Sequence, residues 1–368
     1  MIMLHPNKHL ITKTSLNTWA LGSSAKIDNI KHINQMLSAS SIKLNFNGTI
    51  KTLAQPHPRE WTRDSAPTKS PLLAANFCPY DHPMTKTLLC IGYGFSARAL
   101  TPLLLPLGWS ITGTTRSPER AEAMRAEGVT SIIWPGADLD DALKAASHLL
   151  ISAAPSPGVG DPLLASLDLG AYAFDWVGYL STTGVYGNHD GAWVDEFTPL
   201  TPSTGRGVLR VAAESAWQAT GLPLHIFRLA GIYGPGRGPF SKVRTGTARR
   251  IIKAGQMFSH IHADDIAQVV VASIAQPRPG AVYNLCDDDP APPQDVLAYA
   301  AELLGLPLPP EVDFDAAEMT PMARSFYAEN KRVRNDLIKS ELGVHLKYPS
   351  YKEGLQSLLE LETSQTRR

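Results

Sequence analysis

Residues 87–100, TLLCIGYGFSARAL, place an apolar run directly before Gly92, Gly94 and Ala97. That spacing suits the diphosphate of a dinucleotide. Gly92 permits a tight turn from strand to helix, Gly94 lets backbone N–H groups near the phosphates, and the small Ala97 lets helix and strand approach. Phe95 and Ser96 then open a helix whose N-terminus turns partial positive charge toward the anion. The next apolar run ends in Thr115, Arg116 and Ser117. An NAD site usually carries an acidic residue there, accepting from the ribose 2′-hydroxyl. Arg between two hydroxyls suits a 2′-phosphate instead, through charge-assisted contacts. The pattern favours NADP over NAD, against the alternative of a solvated arginine at a helix start.

These residues need a frame, and the chain from Met84 onward supplies one. Apolar runs (TLLCIG, WSITGTT, VTSIIW, SHLLISAAP, WVGYLST, PLHIFRLAGIYG) alternate with helical stretches, the longest from about 207 to 220. Strict alternation predicts βαβ units and an α/β fold with a doubly wound parallel sheet, the Rossmann arrangement. Its ligand crevice lies at the carboxyl ends of the strands. Residues 84–235 form the dinucleotide-binding domain in this reading. Residues 236–360 form a smaller, mixed C-terminal substrate lobe interleaved with the last strands, and 361–368 are a tail. Helices are expected over QDVLAYAAELLG, NKRVRNDLIKSELG and SYKEGLQSLLELE.

Residues 1–83, rich in Ser, Thr, Asn, Lys, His and Pro, hold no sustained periodicity and read as an extension outside the fold. Met84 is a candidate physiological start; a disordered appendage and a transit peptide are the alternatives. This stretch holds nine Lys/Arg against four Asp/Glu, leaving 25 against 30 in the remainder, so the zero net charge of the whole hides an asymmetry. An acidic core and a neutral whole argue against a nucleic-acid partner. No apolar run is long enough to span a bilayer, which argues against a membrane role. Cys78, Cys90 and Cys286 make neither a disulfide framework nor a metal spacing, and the eleven histidines form no ligand pairs. No metal is expected, and a reducing cytoplasm is the simplest compartment.

Four further motifs follow in order: STTGVYG (181–187), RLAGIYGPGR (228–237), HIHADDIA (260–267) and YNLCDDDP (283–290). With GYGFSA they resemble the extended short-chain dehydrogenase/reductases, the NAD-dependent epimerase/dehydratase family, and within it the atypical YeeZ-like branch. The resemblance spans roughly residues 84–360. It implies that Ser152, Ala153 and Ala154 pass the cofactor at the end of the fourth strand. It places Ser181, Thr182 and Thr183 beside the nicotinamide, where a hydroxyl polarises a substrate oxygen. Leu229, Gly231, Ile232 and Tyr233 belong to the loop over the nicotinamide amide. His262, Asp264 and Asp265 match a segment that orders the lobe junction; a helix cap is one reading of them, a substrate contact by His262 the other. The basic run NKRVR (330–334) is either a family feature or a solvated face. A homodimer is a family expectation.

One departure bears on mechanism. The family carries Tyr-x-x-x-Lys on the helix after the fifth strand, with the Tyr as general acid/base. Alignment on Glu214 puts Arg206 at the Tyr position and Arg210 at the Lys position. Arginine cannot release a proton in a protein. Two cations one helical turn apart instead suit an anion, with Arg206 toward substrate and Arg210 toward cofactor. Tyr186 is either a wall of the crevice or a replacement acid. Two functions therefore stay open. One is an NAD(P)-dependent oxidoreductase or epimerase acting on a small carbonyl or sugar-like substrate, with Thr182, Thr183 and Tyr186 as catalytic candidates. The other is a dinucleotide-binding structural or redox-sensing protein without turnover.

Overall fold

The computed structural model describes residues 86–366, so the extension expected over residues 1–83 lies outside the described residues. The strands, in chain order, are β1 (Thr87–Ile91), β2 (Ser110–Thr115), β3 (Thr130–Ile133), β4 (His148–Ile151) and β5 (Trp176–Thr182). Then come β6 (Trp193–Val194), β7 (Leu224–Leu229), β8 (Gly231–Tyr233), β9 (Arg250–Ile252), β10 (His260–His262), β11 (Val282–Leu285), β12 (Glu311–Asp313) and β13 (Arg332–Val333). Seven of them form one sheet in the order β11-β7-β5-β4-β1-β2-β3, with every pairing parallel. The order reverses between β1 and β4, which opens a crevice at their carboxyl ends.

Side chains alternate across the sheet. Leu88 and Cys90 of β1 join one helix-covered core, and Leu89 and Ile91 join the other. The same split divides Trp176 and Leu180 from Val177 and Tyr179 on β5. Burial on both faces explains why these strands read as continuous apolar runs. Gly178 is required on β5, because a Cβ there would lie 2.1 Å from the buried Trp176 ring.

Local chemistry sets the exceptions. The first helix, expected as one piece, breaks into Phe95–Arg98 and Thr101–Leu104. Pro102 has no N–H to continue the ladder. The sixth predicted strand divides at Ala230: the Ala230 N–H bonds to Leu285, and the Gly231 N–H bonds to Ser259, each at 3.0 Å. The chain thus leaves β11 and pairs β8 with β10. The NKRVR run, expected to be helical, is β13 paired with β6, and only Asp336–Ser340 beyond it is helix. The backbone N–H groups of Arg332 and Arg334 bond to Ala192 (3.0 Å) and Val194 (2.9 Å), which outweighs the helical preference of the sequence. The last helix, Tyr351–Thr366, runs through most of the stretch expected as a tail.

His148, at the head of β4, is wedged edge-on to Trp109 and tilted against Trp176. Burial pushes its imidazole from 6.5 down to about 4. The unfolded chain therefore binds a proton that the native state refuses, so this contribution is present above about 6.5 and is lost as pH falls toward 4. Asp265, pushed up to about 6 by burial, acts in the opposite sense. Comparison with His148→Gln isolates the histidine: between pH 7 and pH 5, wild type should lose on the order of 1 kcal/mol relative to the variant in urea unfolding. Parallel pH slopes would contradict this.

Candidate functional site

The glycine turn joins β1 to its helix through Gly92, at φ +84°, where a Cβ would press to 2.9 Å from the Ala153 nitrogen. Three turn amides are already committed, the Tyr93 N–H bonding to the Thr114 carbonyl at 2.8 Å. The Gly92 N–H bonds to the Thr114 hydroxyl at 2.7 Å, and the Gly94 N–H bonds to the Gly92 carbonyl at 2.8 Å. Gly94 caps the helix Phe95–Arg98 with no side chain. The N–H groups of Phe95, Ser96 and Ala97 in the first turn are left without acceptors among the described residues, whereas those of the glycines are used. A Cβ on Gly94 would meet nothing closer than 3.9 Å, so its outer face is open.

The Thr114 bond also stitches the turn to the end of β2. Arg116 follows, exposed, with no hydrogen bond or ion pair among the described residues. Its two neighbours are committed. Thr115 is buried and accepts from the Ser117 N–H at 3.3 Å, while the Ser117 hydroxyl accepts from the Arg120 N–H and donates to Glu119. Of this trio, the guanidinium alone is free for a phosphate.

A cavity of about 560 Å³ opens at the carboxyl ends of the strands, within the range of roughly 300–1,000 Å³ usual for small-molecule sites. Ser96 of the first turn lines it, as do Ser152 and Ala154 beyond β4. Ala153 lies behind them, its N–H on the Ile91 carbonyl at 3.0 Å. Ser181, Thr182 and Thr183 line it from the end of β5, and Leu229, Gly231 and Ile232 from β7 and β8. The Thr182 hydroxyl accepts from the Gly184 N–H at 3.2 Å and caps the 3-10 turn Thr183–Tyr186.

The helix Gly205–Gln218 contributes Arg206 and Arg210 to the same wall. Arg206 is exposed at the mouth; it donates to the Ser325 hydroxyl (2.8 Å) and lies 4.6 Å from the Phe326 ring. Arg210 donates to the Tyr179 hydroxyl (3.0 Å) and the Leu180 carbonyl (2.8 Å). Neither arginine has a carboxylate partner among the described residues. Opposite them stand three residues outside the sequence-based set: Arg237, which lies over the Phe95 ring, and the ion-paired Glu329 and Lys331. The NKRVR run was the one sequence signal that reached Lys331.

Tyr186, His262 and Tyr233, also predicted for the site, are buried behind the cavity and do not line it. Tyr186 is fully buried, donates to Asn284 Oδ1 at 2.7 Å and accepts from Arg228 at 3.0 Å. Burial pushes its phenol up to about 12, against the pull of the Arg228 cation. The phenol lies behind the cavity and not in its lining. The same Arg228 forks onto Glu214 (3.2 and 2.8 Å), and Glu214 accepts from the Ser181 hydroxyl at 2.5 Å. Ser181 therefore borders the cavity with its hydroxyl already spent. His262 is 1% exposed and caps the helix Ala263–Ala275, its Nδ1 accepting from the Asp264 N–H at 3.1 Å. Burial pushes it down to about 4. Asp265 beside it accepts from the backbone N–H groups of Lys347 and Tyr348, so this segment ties the last loop to the helix. Tyr233 is buried too, set against His262 and directly over Gly354.

A parallel sheet in this order, a glycine turn at its switch point and a cavity across the strand ends define a Rossmann-type fold. No family model matches the chain. Protein YeeZ of Escherichia coli is 28% identical over 283 residues, covering 72% of this chain and 97% of that protein. A solved structure of a functionally unknown conserved protein from Silicibacter pomeroyi is 62% identical, covers 76% of this chain and 99% of its own, and superimposes with a TM-score of 0.71. The fold is also that of UDP-glucuronic acid 4-epimerase from Bacillus cereus, in complex with NAD, at 17% identity and a TM-score of 0.63 over 76% of this chain and 98% of that one. The likeness to YeeZ over nearly its whole length supports the resemblance to the extended short-chain dehydrogenase/reductases drawn from the motifs.

With Tyr186 fixed in the core, Tyr186→Phe strands Asn284 Oδ1 and one Arg228 donor. It should lower unfolding free energy by about 1–3 kcal/mol and leave ligand affinity unchanged, as read by urea titration beside calorimetry. A variant of full stability would remove the phenol from the network.

Proposed function

We propose that this chain binds NADP, or NAD, and carries out oxidoreductase or epimerase-type chemistry on a small carbonyl or sugar-like substrate. Residues 84–235 hold the coenzyme in this reading, and 236–360 shape the substrate side. One observation carries it: a single cavity joins the anion-binding first turn (Ser96) to the hydroxyls at the end of β5 (Thr182, Thr183) and to the loop Leu229–Ile232. The Bacillus cereus epimerase of the same fold holds NAD, which supports a nicotinamide coenzyme here.

The residues fit that group. The N–H groups of Phe95, Ser96 and Ala97 face a diphosphate without side-chain competition. Arg116 is unpartnered where a 2′-phosphate would lie. Arg210 is held rigidly enough to position a ribose. When bound, the coenzyme supplies or accepts a hydride. The Thr183 hydroxyl, free of partners among the described residues, donates to the substrate oxygen. Arg206 attracts an anionic substrate group at the mouth.

Calorimetry with NADPH and NADH, followed by oxidation of the reduced coenzyme with small aldehydes and ketones and reduction of the oxidised coenzyme with UDP-glucose, tests the reading. Binding with consumption is expected; binding without consumption favours a redox-sensing role. Arg116→Ala should weaken NADPH by about 1.5–3 kcal/mol, the value of a hydrogen bond to a charged group, and leave NADH unchanged. Equal losses for both coenzymes would contradict the 2′-phosphate assignment.

A further inference from the structure

The cavity contains one proton-active pair, and the missing tyrosine gives it a purpose. Its ionisable lining is Arg206, Arg210, Arg237, His260, Glu329 and Lys331. The arginines keep their protons. His260 is pushed down to about 4 by burial and so stays neutral near pH 7, with no proton to give as an acid. Glu329 and Lys331 remain. Their side chains are 11% and 10% exposed and paired at 2.7 Å. The Lys331 ammonium also donates to the Gly187 carbonyl at 2.9 Å, and Glu329 accepts from Ser203 at 2.8 Å. An ammonium has three donors. Two are used, and the third has no acceptor among the described residues.

The pair also sits beside the threonines. A Cβ on Gly184, next to Thr183, would lie 4.0 Å from Glu329 Oε2. Gly187, whose carbonyl holds Lys331, closes the same turn after β5. Its own place is fixed, since a Cβ there would fall 1.8 Å from the Thr201 carbonyl oxygen. The β13–β6 pairing anchors the other end of the segment.

Resting on the oxidoreductase reading, we propose that Lys331 is the proton donor to the substrate oxygen, taking the part of the absent tyrosine, with Glu329 as its positioning residue. As hydride from the reduced nicotinamide forms the new C–H bond, the carbonyl π pair moves to oxygen. That oxygen takes a proton from the Lys331 ammonium, whose N–H bond breaks. Water regains the mouth and returns the proton to the amine while Glu329 holds it in place. Oxidation of the alcohol runs the same steps in reverse.

The test uses the full chain and whichever compound of the aldehyde and ketone panel consumes NADPH fastest. Lys331→Gln and Lys331→Arg should each lower turnover by at least about 10²-fold, because Arg keeps the charge and the ion pair but not the proton. NADPH affinity should hold in both. Glu329→Gln should shift the pH profile of turnover, which a purely structural role would not do. A second readout needs no turnover: formaldehyde with cyanoborohydride should methylate Lys331, read by peptide mass spectrometry, and NADP should slow that labelling. Wild-type turnover with an active Lys331→Gln overturns the assignment, as does a Lys331 left unmodified while surface lysines react. A wild type that turns over nothing sinks the oxidoreductase reading itself.

Discussion

The Glu214–Arg228 ion pair is the constraint around which the site is arranged. Both side chains are buried, at 3% and 6% exposure, and meet through a two-pronged contact. A pair so deep costs much desolvation and persists only when its remaining donors and acceptors are satisfied. Ser181, Tyr186 and the Glu196 carbonyl do this, and the Asn284 N–H in turn holds the Glu196 carboxylate. One network thereby clamps β5, β7, β11 and the helix Gly205–Gln218 in fixed register. It also withdraws a hydroxyl and a phenol from the chemistry, since groups that complete a buried pair are not free to serve a ligand.

The same clamp fixes which face of the helix meets the cavity. Glu214 points into the sheet, so Arg210 and Arg206, one and two turns earlier, lie along the crevice wall. Where the family it resembles is expected to set a tyrosine, this chain sets permanent cations with neutral partners. Proton-active groups enter from another direction, the segment before β13, which reaches the cavity from beyond the sheet.

The centre of the sheet was legible from sequence because both its faces are buried, so strands such as β1 and β4 are nearly continuous apolar runs between turns. The glycine turn was legible for a related reason: Gly92 needs a backbone conformation and a close approach that no side chain allows. Elements of two or three residues, such as β6, β9, β12 and β13, leave no periodic trace. They exist because distant backbones pair, as Arg332 and Arg334 do with Ala192 and Val194. Site roles were harder to read for the same physical reason. Thr182, Thr183, Arg206 and Arg210 share the cavity as expected from their places after a strand and along a helix. Tyr186 and His262 carry chemistry in their names, yet their surroundings (Arg228 and Asn284 for one, Tyr233 and Tyr348 for the other) decide their use. Those partners lie 29 to 98 positions away in the chain, beyond any local pattern.

The ladders β12–β9 and β13–β6 bracket residues 314–331, the stretch that supplies Ser325, Phe326, Glu329 and Lys331. None of its residues belongs to the seven-stranded sheet. Evolution can therefore rewrite this panel as a cassette, reshaping one wall of the cavity, while the seven-stranded frame beneath stays untouched.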